Sequence, residues 1–278
     1  MIYLIDGKAT DQLSAANRGL QYGDGLFETL LLTQGRLTFW SRHMARLFDG
    51  CQRLAITPPD PELLLDEAQQ LCAQRRSGVL KIIITRGSGG RGYQSPLSAP
   101  ACRILAFHPK PTYPAHFAQQ GVAVRICQTR LGSNPALAGL KHLNRLEQVM
   151  ARQEWRGKEI TEGIMLDGQG NAIEGVMSNL FLVHDDQLWT PDLSNCGVAG
   201  IMREAVIEVA EELNIPVNIG VIPEAELYRA KAMFLTNAVI GLWPVKRLAG
   251  RCLELSPLGQ RINTEVETKK MAEALVIP

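Results

Sequence analysis

Runs of apolar residues with different spacings divide the first hundred positions into strands and helices. Short β-branched and aliphatic runs bounded by turn residues are typical of strands. Two of these runs predict hairpins, one that begins with 2–5 and the Asp6-Gly7 turn and one that pairs 26–32 with 36–39. Two more runs, 79–85 and 102–107, predict longer strands. Apolar residues at helical spacing predict two helices between the second hairpin and the longer strands. We expect Ser41 to cap the first helix and Asp60, followed by Pro61, to begin the second. This order of elements predicts an α+β unit.

A proline-rich segment, 108–114, separates this unit from the rest of the chain. Its three prolines fit neither a helix nor a central strand, so we interpret it as a linker between a small domain, 1–107, and a larger one, 115–278. The pattern predicts five strands and two helices in the larger domain: strands 122–127, 163–166, 172–174, 179–183 and 232–236, and helices 141–155 and 201–213. The first of these helices is predicted to turn its apolar residues inward: Leu143, Leu146, Val149 and Met150.

Composition narrows the class of protein. The 278 residues are 46% hydrophobic and 21% charged, as in an ordinary globular protein. A net charge of +1 gives no general basis for binding nucleic acid or an anionic membrane. No apolar run approaches the ~20 residues of a membrane span, and the first residues do not resemble a signal peptide, so we expect a cytoplasmic protein. The six cysteines and five histidines form no metal-binding or disulfide pattern.

The segment 87–92 matches the dinucleotide-binding pattern G-x-G-x-x-G, but its context does not. That fingerprint needs a helix that opens at the third glycine, whereas Tyr93 and the residues after it are typical of a turn. The sequence therefore argues against an NAD site. The wider segment, 86–93, is a loop with two arginines and a tyrosine. Such a loop either brings a guanidinium to a substrate carboxylate or is an ordinary solvated loop.

Lys141 carries more information because the pattern places it at the start of the predicted helix 141–155. The helix dipole there disfavours an ammonium group by roughly 0.3–1 kcal/mol, and a lysine held neutral is an amine nucleophile. The alternative is a lysine that points to solvent and tolerates this cost.

Three further segments complement that lysine. Glu174, near the end of a predicted strand, either lines an interior cleft or faces solvent. The segment 197–203 is a glycine-flanked turn before a helix. The free amides at such a helix start form a phosphate-binding site. The alternative is a tight turn with a purely structural role. Residues 236–238 lie at the end of a predicted strand and are expected to contribute a hydroxyl or an amide to the same site. A reactive lysine, a carboxylate and a phosphate-binding turn are what pyridoxal phosphate (PLP) requires for its Schiff base, its protonated ring nitrogen and its phosphate.

Several segments resemble the fold-type IV PLP enzymes, the family of branched-chain and D-amino-acid aminotransferases and aminodeoxychorismate lyase. They span most of the chain: 18–28 (RGLQYGDGLFE), 43–47 (HMARL), Lys141, 174–179 (EGVMSN) and 200–203 (GIMR). Two more, 86–93 (RGSGGRGY) and 141–148 (KHLNRLEQ), are most similar to the lyase branch. The resemblance implies a two-domain α+β fold, with a small N-terminal α/β sandwich and a larger C-terminal mixed β-barrel-like domain with flanking helices.

The same resemblance implies roles for individual residues. Lys141 corresponds to the catalytic lysine that binds PLP, and Glu174 corresponds to the partner of the pyridine nitrogen. The phosphate site corresponds to four residues: Arg46, Ile201, Met202 and Ala238. Arg91 and Tyr93 match loop positions that bind the substrate carboxylate in the D-amino-acid branch. In this family that loop commonly reaches the site of a neighbouring subunit, which implies a homodimer.

The resemblance implies a lyase that converts 4-amino-4-deoxychorismate to 4-aminobenzoate and pyruvate, a step towards folate. An aminotransferase for branched-chain or D-amino acids is the alternative within the family. The tyrosine that some aminotransferases carry five residues after the lysine is Leu146 here, which weakens that alternative. A third hypothesis is a non-catalytic dimeric scaffold, which would be a colourless protein without cofactor.

Overall fold

The computed structural model describes residues 2–96 and 100–278. Residue contacts divide the chain into two units, the first made of Met1–Pro111, Leu140–Asn144 and Met271–Pro278, and the second of Thr112–Gly139 and Arg145–Lys270. The change of unit after Pro111 lies inside the predicted linker, but the prediction does not include the two later segments that group with the first unit. Among the described residues, no helix has the length and apolarity that crossing a membrane requires.

A seven-stranded antiparallel sheet with helices on one face forms the first unit. Its elements are β1 (Ile2–Ile5), β2 (Lys8–Ala9), α1 (Arg18–Tyr22), β3 (Gly25–Thr33), β4 (Arg36–Leu37), α2 (Trp40–Arg53), α3 (Pro61–Cys72), β5 (Ser77–Thr85), β6 (Cys102–His108) and, near the end of the chain, β16 (Leu275–Val276). The strand order is β16-β4-β3-β5-β6-β1-β2. Because side chains alternate between the faces of a strand, Leu80, Ile82 and Ile84 of β5 are fully buried, while Lys81 and Ile83 are only partly covered. Both predicted hairpins and both predicted longer strands are confirmed.

The two predicted helix starts in this unit have different outcomes. The Asp60 carboxylate accepts the Glu62 backbone N–H at 2.8 Å, so the predicted cap of α3 is confirmed. The prediction that Ser41 caps α2 is wrong. The helix begins at Trp40, directly after Phe39, whose left-handed backbone (φ +54°) turns the chain out of β4 without any side-chain cap. The tight β4–α2 connection thus leaves Ser41 inside the first turn.

The second unit is built on a closed β-barrel. Its elements are α4 (His116–Gln120), β7 (Val122–Leu131), α5 (Leu146–Arg152), β8 (Glu162–Asp167), β9 (Ala172–Gly175), β10 (Asn179–His184), β11 (Gln187–Pro191), α6 (Ile201–Glu212), β12 (Val217–Gly220), α7 (Glu224–Arg229), β13 (Ala232–Asn237), β14 (Gly241–Leu248), β15 (Arg251–Cys252) and α8 (Pro257–Ala272). Six strands close on themselves in the order β10-β13-β14-β7-β8-β9, with β9 paired back to β10. Strand β7 runs parallel to β8 and β14, and the other barrel pairs are antiparallel.

The mixed barrel and its flanking helices confirm the predicted fold class. An apolar cluster inside the second unit includes Val124, Leu166, Leu180, Leu235 and Val245, one from each of five barrel strands. All five predicted strands of this region and the predicted helix from residue 201 are present. The sequence pattern did not predict the long helix α8, because its apolar residues are sparse and most of its surface is polar.

The predicted helix 141–155 is wrong in both its start and its face. Helix α5 covers only Leu146–Arg152, and Leu146, Val149 and Met150 are 75%, 49% and 58% exposed. The buried residues of α5 are Gln148 and Ala151 instead. The preceding residues, 141–143, are extended along β3 and form backbone hydrogen bonds with it. Once these groups are paired with a strand, they cannot supply the bonds of a helical turn.

Candidate active site

Lys141 lies on the extended segment that adds to the start of β3. Its carbonyl accepts the Phe27 N–H at 2.9 Å, and the Leu143 N–H donates to the Gly25 carbonyl at 3.0 Å. The amine Nζ stands 4.4 Å from the centroid of the Phe27 ring, a distance at which an aromatic face attracts an ammonium group. The predicted effect of a helix dipole therefore does not apply to Lys141. Strand pairing holds its backbone, and its amine lies over the Phe27 ring.

Arg46 of α2 forms part of a buried cluster in the first unit. Its Nε and Nη2 donate to the two carboxylate oxygens of Glu28 at 2.7 and 2.5 Å, and Glu28 is 1% exposed. The fully buried His43 contacts the same carboxylate through Nδ1 at 2.6 Å. Since a carboxylate only accepts, His43 donates from Nδ1.

The electrostatics of this cluster follow from burial and charge. Burial would raise the pKa of the Glu28 carboxyl, but the positive charge of Arg46 and the contact with His43 outweigh it and lower the pKa to about 2. Burial also lowers the pKa of the His43 imidazole, against the opposing effect of Glu28. The cluster therefore holds one ionised carboxylate, one guanidinium and a neutral imidazole at neutral pH.

Glu174 lies on barrel strand β9, and its side chain is buried. Its Oε2 accepts the Val198 backbone N–H at 2.8 Å, and the Gln148 amide nitrogen lies 3.5 Å from Oε1. The approach of the 197–199 loop requires Gly197, whose φ is +87° and whose added Cβ would stand 2.8 Å from Ile173 and 3.4 Å from Glu174 Oε2. Glu174 thus faces the interior, and one of the two predicted alternatives, a solvent-facing glutamate, is excluded.

The helix start after this loop has the chemistry of an anion site. Helix α6 follows Gly200, which provides no side-chain cap, so the amides of Ile201 and Met202 have no partner within the helix. A Cβ on Gly200 would stand 1.9 Å from Asn179 Oδ1, so no larger residue fits there. The Asn179 amide also donates to the Val198 carbonyl at 2.8 Å and holds the loop that carries these amides.

Ala238 lies in the turn after β13, at the end of the same barrel. The Asn237 side chain shapes this turn by accepting the N–H groups of Val239 and Ile240, each at 2.8 Å. The neighbouring Thr236 hydroxyl is buried and forms no hydrogen bond to any described residue. A buried hydroxyl without a partner fits a bound polar group.

Arg91 and Tyr93 lie in a loop of the first unit that is held at its base. Arg18 donates to Asp24 and to the carbonyls of residues 92 and 93. Arg86, the other arginine of the predicted carboxylate-binding loop, donates to Asp24 at 2.8 Å and to the carbonyls of residues 54 and 55. Arg86 therefore holds the loop rather than a substrate. Arg91 is exposed and Tyr93 is 90% exposed.

Sequence reasoning missed the partners that fix these groups. Glu28 and His43 lie within the segments that carry the family resemblance, and His43 and Arg46 are three residues apart on one helix. That spacing is a usable signal for a shared partner. The partners of Glu174, the Gln148 side chain and the Val198 amide, come from distant segments and left no local signal.

Comparisons with known proteins agree with this architecture. The model of the family described as amino-transferase class IV matches residues 25–248. An aminodeoxychorismate lyase of Vibrio harveyi is 35% identical over 252 residues, 89% of this chain and 92% of that protein. A putative branched-chain-amino-acid aminotransferase of Methanocaldococcus jannaschii is 28% identical over 98% of this chain and 94% of its own length. The crystal structure of 4-amino-4-deoxychorismate lyase from Pseudomonas aeruginosa superposes with a TM-score of 0.92 at 46% identity, over 96% of this chain and 98% of that one.

The Glu28 cluster generates a prediction on pH and stability. Because the pKa of Glu28 is about 2 in the folded protein and near 4.5 when unfolded, its pairing stabilises the fold above pH 4.5, and this contribution is lost as the pH falls towards 2. Glu28→Gln should lower the free energy of unfolding by about 3 kcal/mol at pH 7 and by progressively less between pH 4.5 and 2. Urea unfolding at several pH values measures this, with the exposed Glu265→Gln as control. An equal loss at pH 7 and pH 3 would contradict the assignment.

Proposed function

Because this chain belongs to the class IV aminotransferase family, we propose that it is a PLP-dependent lyase that converts 4-amino-4-deoxychorismate to 4-aminobenzoate and pyruvate, in folate biosynthesis. The observation that carries the proposal is the 46% identity with the Pseudomonas aeruginosa lyase over nearly the full length of both chains. The identity of 35% with the Vibrio harveyi lyase supports the same choice within the family.

The residues described above fit PLP. Lys141 would bind its aldehyde carbon, Glu174 would accept a hydrogen bond from the protonated pyridine nitrogen, and the phosphate would lie at the start of α6. Arg46, the amides of Ile201 and Met202, and the turn at Ala238 would hold that phosphate. The partnerless Thr236 hydroxyl supports the idea that this end of the barrel receives a polar ligand. When bound, PLP supplies an electron-withdrawing ring that makes the hydrogen on the amine-bearing carbon of the substrate acidic.

Lys141 and Glu174 then have distinct tasks. Lys141 would take the proton from C4 of the substrate as a general base. It returns a proton to the departing enolpyruvyl oxygen as the C3–O bond breaks, and the enol becomes pyruvate. Loss of this proton and this group leaves an aromatic ring, which makes the reaction effectively irreversible. Glu174, held by the Val198 N–H, would keep the proton on the ring nitrogen.

An aminotransferase remains the second candidate, favoured by the 28% identity with the Methanocaldococcus jannaschii protein over almost the whole chain. The residue five positions after Lys141 argues against it. Leu146 has no hydroxyl and is 75% exposed, so it does not replace the tyrosine found there in some aminotransferases. Conversion of PLP to its amine form by branched-chain or D-amino acids, without release of 4-aminobenzoate from the lyase substrate, would favour this candidate.

A homodimer in the cytoplasm completes the proposal. The face of α5 with Leu146, Val149 and Met150 exposes adjacent apolar side chains, which a second copy of the chain would cover. The exposed Arg91 and Tyr93 suit a loop that serves the site of the neighbouring subunit. The six cysteines are free, as expected in a reducing compartment.

The test of the proposed activity is release of product by the purified holoenzyme. Wild-type protein should release 4-aminobenzoate and pyruvate in equal amounts from 4-amino-4-deoxychorismate. Lys141→Ala should lose activity by at least about a hundredfold, because it removes the acid–base group, and should also lose the visible absorption of amine-bound PLP. Borohydride reduction followed by peptide mapping should place the cofactor on residue 141.

Lys110→Ala, at an exposed position of the first unit, is the matched control and should keep full activity and colour. Lack of pyruvate release by the wild type would refute the lyase proposal. Full activity of the Lys141 variant would instead remove this lysine from the mechanism while leaving the reaction in place.

The dimer proposal predicts a sedimentation mass of twice the 30.6 kDa chain. Val149→Glu should shift the protein towards the single-chain mass and lower its activity, because a charge would then replace an apolar contact. Ile219→Glu, a control on the exposed edge strand β12, should remain dimeric. A wild type that sediments as a single chain at all concentrations would disprove the dimer.

A further inference from the structure

Helix α5 buries a polar side chain, that of Gln148. The buried residues of this helix are Gln148 and Ala151, while its larger apolar residues are exposed. A buried amide without hydrogen bonds is costly, so both its nitrogen and its oxygen are expected to have partners. An apolar residue would pack at this position without that cost. The glutamine therefore needs an explanation from the groups around it.

The amide nitrogen of Gln148 faces the carboxylate of Glu174. Its Nε2 lies 3.5 Å from Glu174 Oε1, at the outer limit of hydrogen-bond distance, while the Val198 N–H donates to Oε2 at 2.8 Å. Because an ionised carboxylate only accepts, the nitrogen of the amide and not its oxygen belongs on this side. Hydrogen bonds at functional sites are often long before the ligand binds, and they shorten in the complex. The two oxygens of Glu174 thus each face a neutral N–H donor.

The carbonyl oxygen of Gln148 has no partner among the described residues. This Oε1 is buried and forms no hydrogen bond there. It stands about 2.3 Å from Nε2 within the same amide group, so it lies within about 6 Å of Glu174 Oε1. A ligand that donates a hydrogen bond to Glu174 therefore lies close to this oxygen.

The ionisable groups around Glu174 set the charge of its surroundings. Burial lowers the pKa of the Arg145 guanidinium, and the negative charges of Glu174 and Glu147 oppose this shift. Burial raises the pKa of the Cys196 thiol to about 11, so this group is neutral at pH 7. A guanidinium offsets the charge of a carboxylate and weakens its attraction for a protonated ring nitrogen. The Gln148 amide is neutral, so it can direct the carboxylate without offsetting its charge.

We propose that Gln148 is a positioning residue for Glu174, and that its amide N–H orients the carboxylate towards the pyridine nitrogen of PLP and so keeps that nitrogen protonated. This inference rests on the proposed function. A hydrogen bond to an ionised carboxylate stabilises the ionised form, which is the form that attracts the ring proton. With Val198 on one oxygen and Gln148 on the other, the plane of the carboxylate is fixed before PLP binds.

Gln148→Met tests this, because methionine has a similar volume but neither donates nor accepts as an amide does. In the holoenzyme, nitrogen-15 NMR should show that the ring nitrogen of labelled PLP loses its proton about one pH unit lower than in the wild type. The kcat of pyruvate release should fall about tenfold, as expected for loss of one hydrogen bond to a charged group, and KM should stay within twofold.

The same substitution in the Glu174→Gln variant separates positioning from a structural role. There the amide has no carboxylate to orient, so Gln148→Met should change kcat by less than twofold and leave the nitrogen-15 signal unchanged. A glutamine that only stabilises the packing of α5 would cause the same loss in both backgrounds. Gln153→Met makes the same chemical change at an exposed position just after α5 and should behave as the wild type does.

A Gln148→Met holoenzyme with wild-type titration of the ring nitrogen and kcat within twofold would overturn the inference. An equal loss of kcat in the Glu174→Gln background would overturn it as well. Should Gln148→Met fail to fold, Gln148→Leu provides the same comparison. Failure of the proposed function has a different signature, because wild-type holoenzyme would then release no pyruvate, while the nitrogen-15 comparison would still report on Gln148.

Discussion

The hydrogen bond from the Val198 amide to the Glu174 carboxylate is the constraint on which the second unit's part of the proposed site depends. It joins a barrel strand to the loop that opens helix α6, so the carboxylate and the helix amides are fixed relative to each other. A rigid cofactor that meets a carboxylate with its ring nitrogen and a helix start with its phosphate needs that spacing to be constant. Gly197 is required because a side chain there would push the loop away from Glu174.

In the first unit, backbone pairing fixes the position of Lys141 in a similar way. Residues 141–143 are held as an added strand beside β3, and the Phe27 ring faces the amine of Lys141. The same strand carries Glu28 on its opposite face, where it holds Arg46. Because side chains alternate along β3, Phe27, which contacts the Lys141 amine, and Glu28, which holds Arg46, lie on opposite faces of the strand.

Local sequence signals were reliable where local physics decides the structure. The strand 79–85, the helix start at Asp60 and the glycine-flanked start of α6 all depend on residues within a few positions of each other. The prediction of a helix over 141–155 was wrong because residues 141–143 pair with a strand from a distant part of the chain, and this pairing overrides the helical spacing of the apolar residues. Its apolar residues were also misjudged, since Leu146, Val149 and Met150 are exposed in the single chain. Apolar periodicity by itself therefore does not show that a helix face is buried in the core of the chain.

The same distinction between local signals and contacts with distant segments applies to the candidate site. The chemistry of Lys141, Glu174 and the turn before α6, together with the family resemblance, marks them in the sequence as candidates for the site, and their roles stay predictions. Their surroundings could not be predicted in this way. The bond between Glu174 and Val198, and the contact of Lys141 with the Phe27 ring, arise from pairings between distant segments.

The most direct measurement is the protonation state of the PLP ring nitrogen, read by nitrogen-15 NMR on holoenzyme prepared with labelled cofactor. We expect a protonated nitrogen at neutral pH in the wild type and an unprotonated one in Glu174→Gln, which keeps the shape of the side chain but loses its charge. A nitrogen that stays protonated in the variant, or that is unprotonated in the wild type, would contradict the role of Glu174.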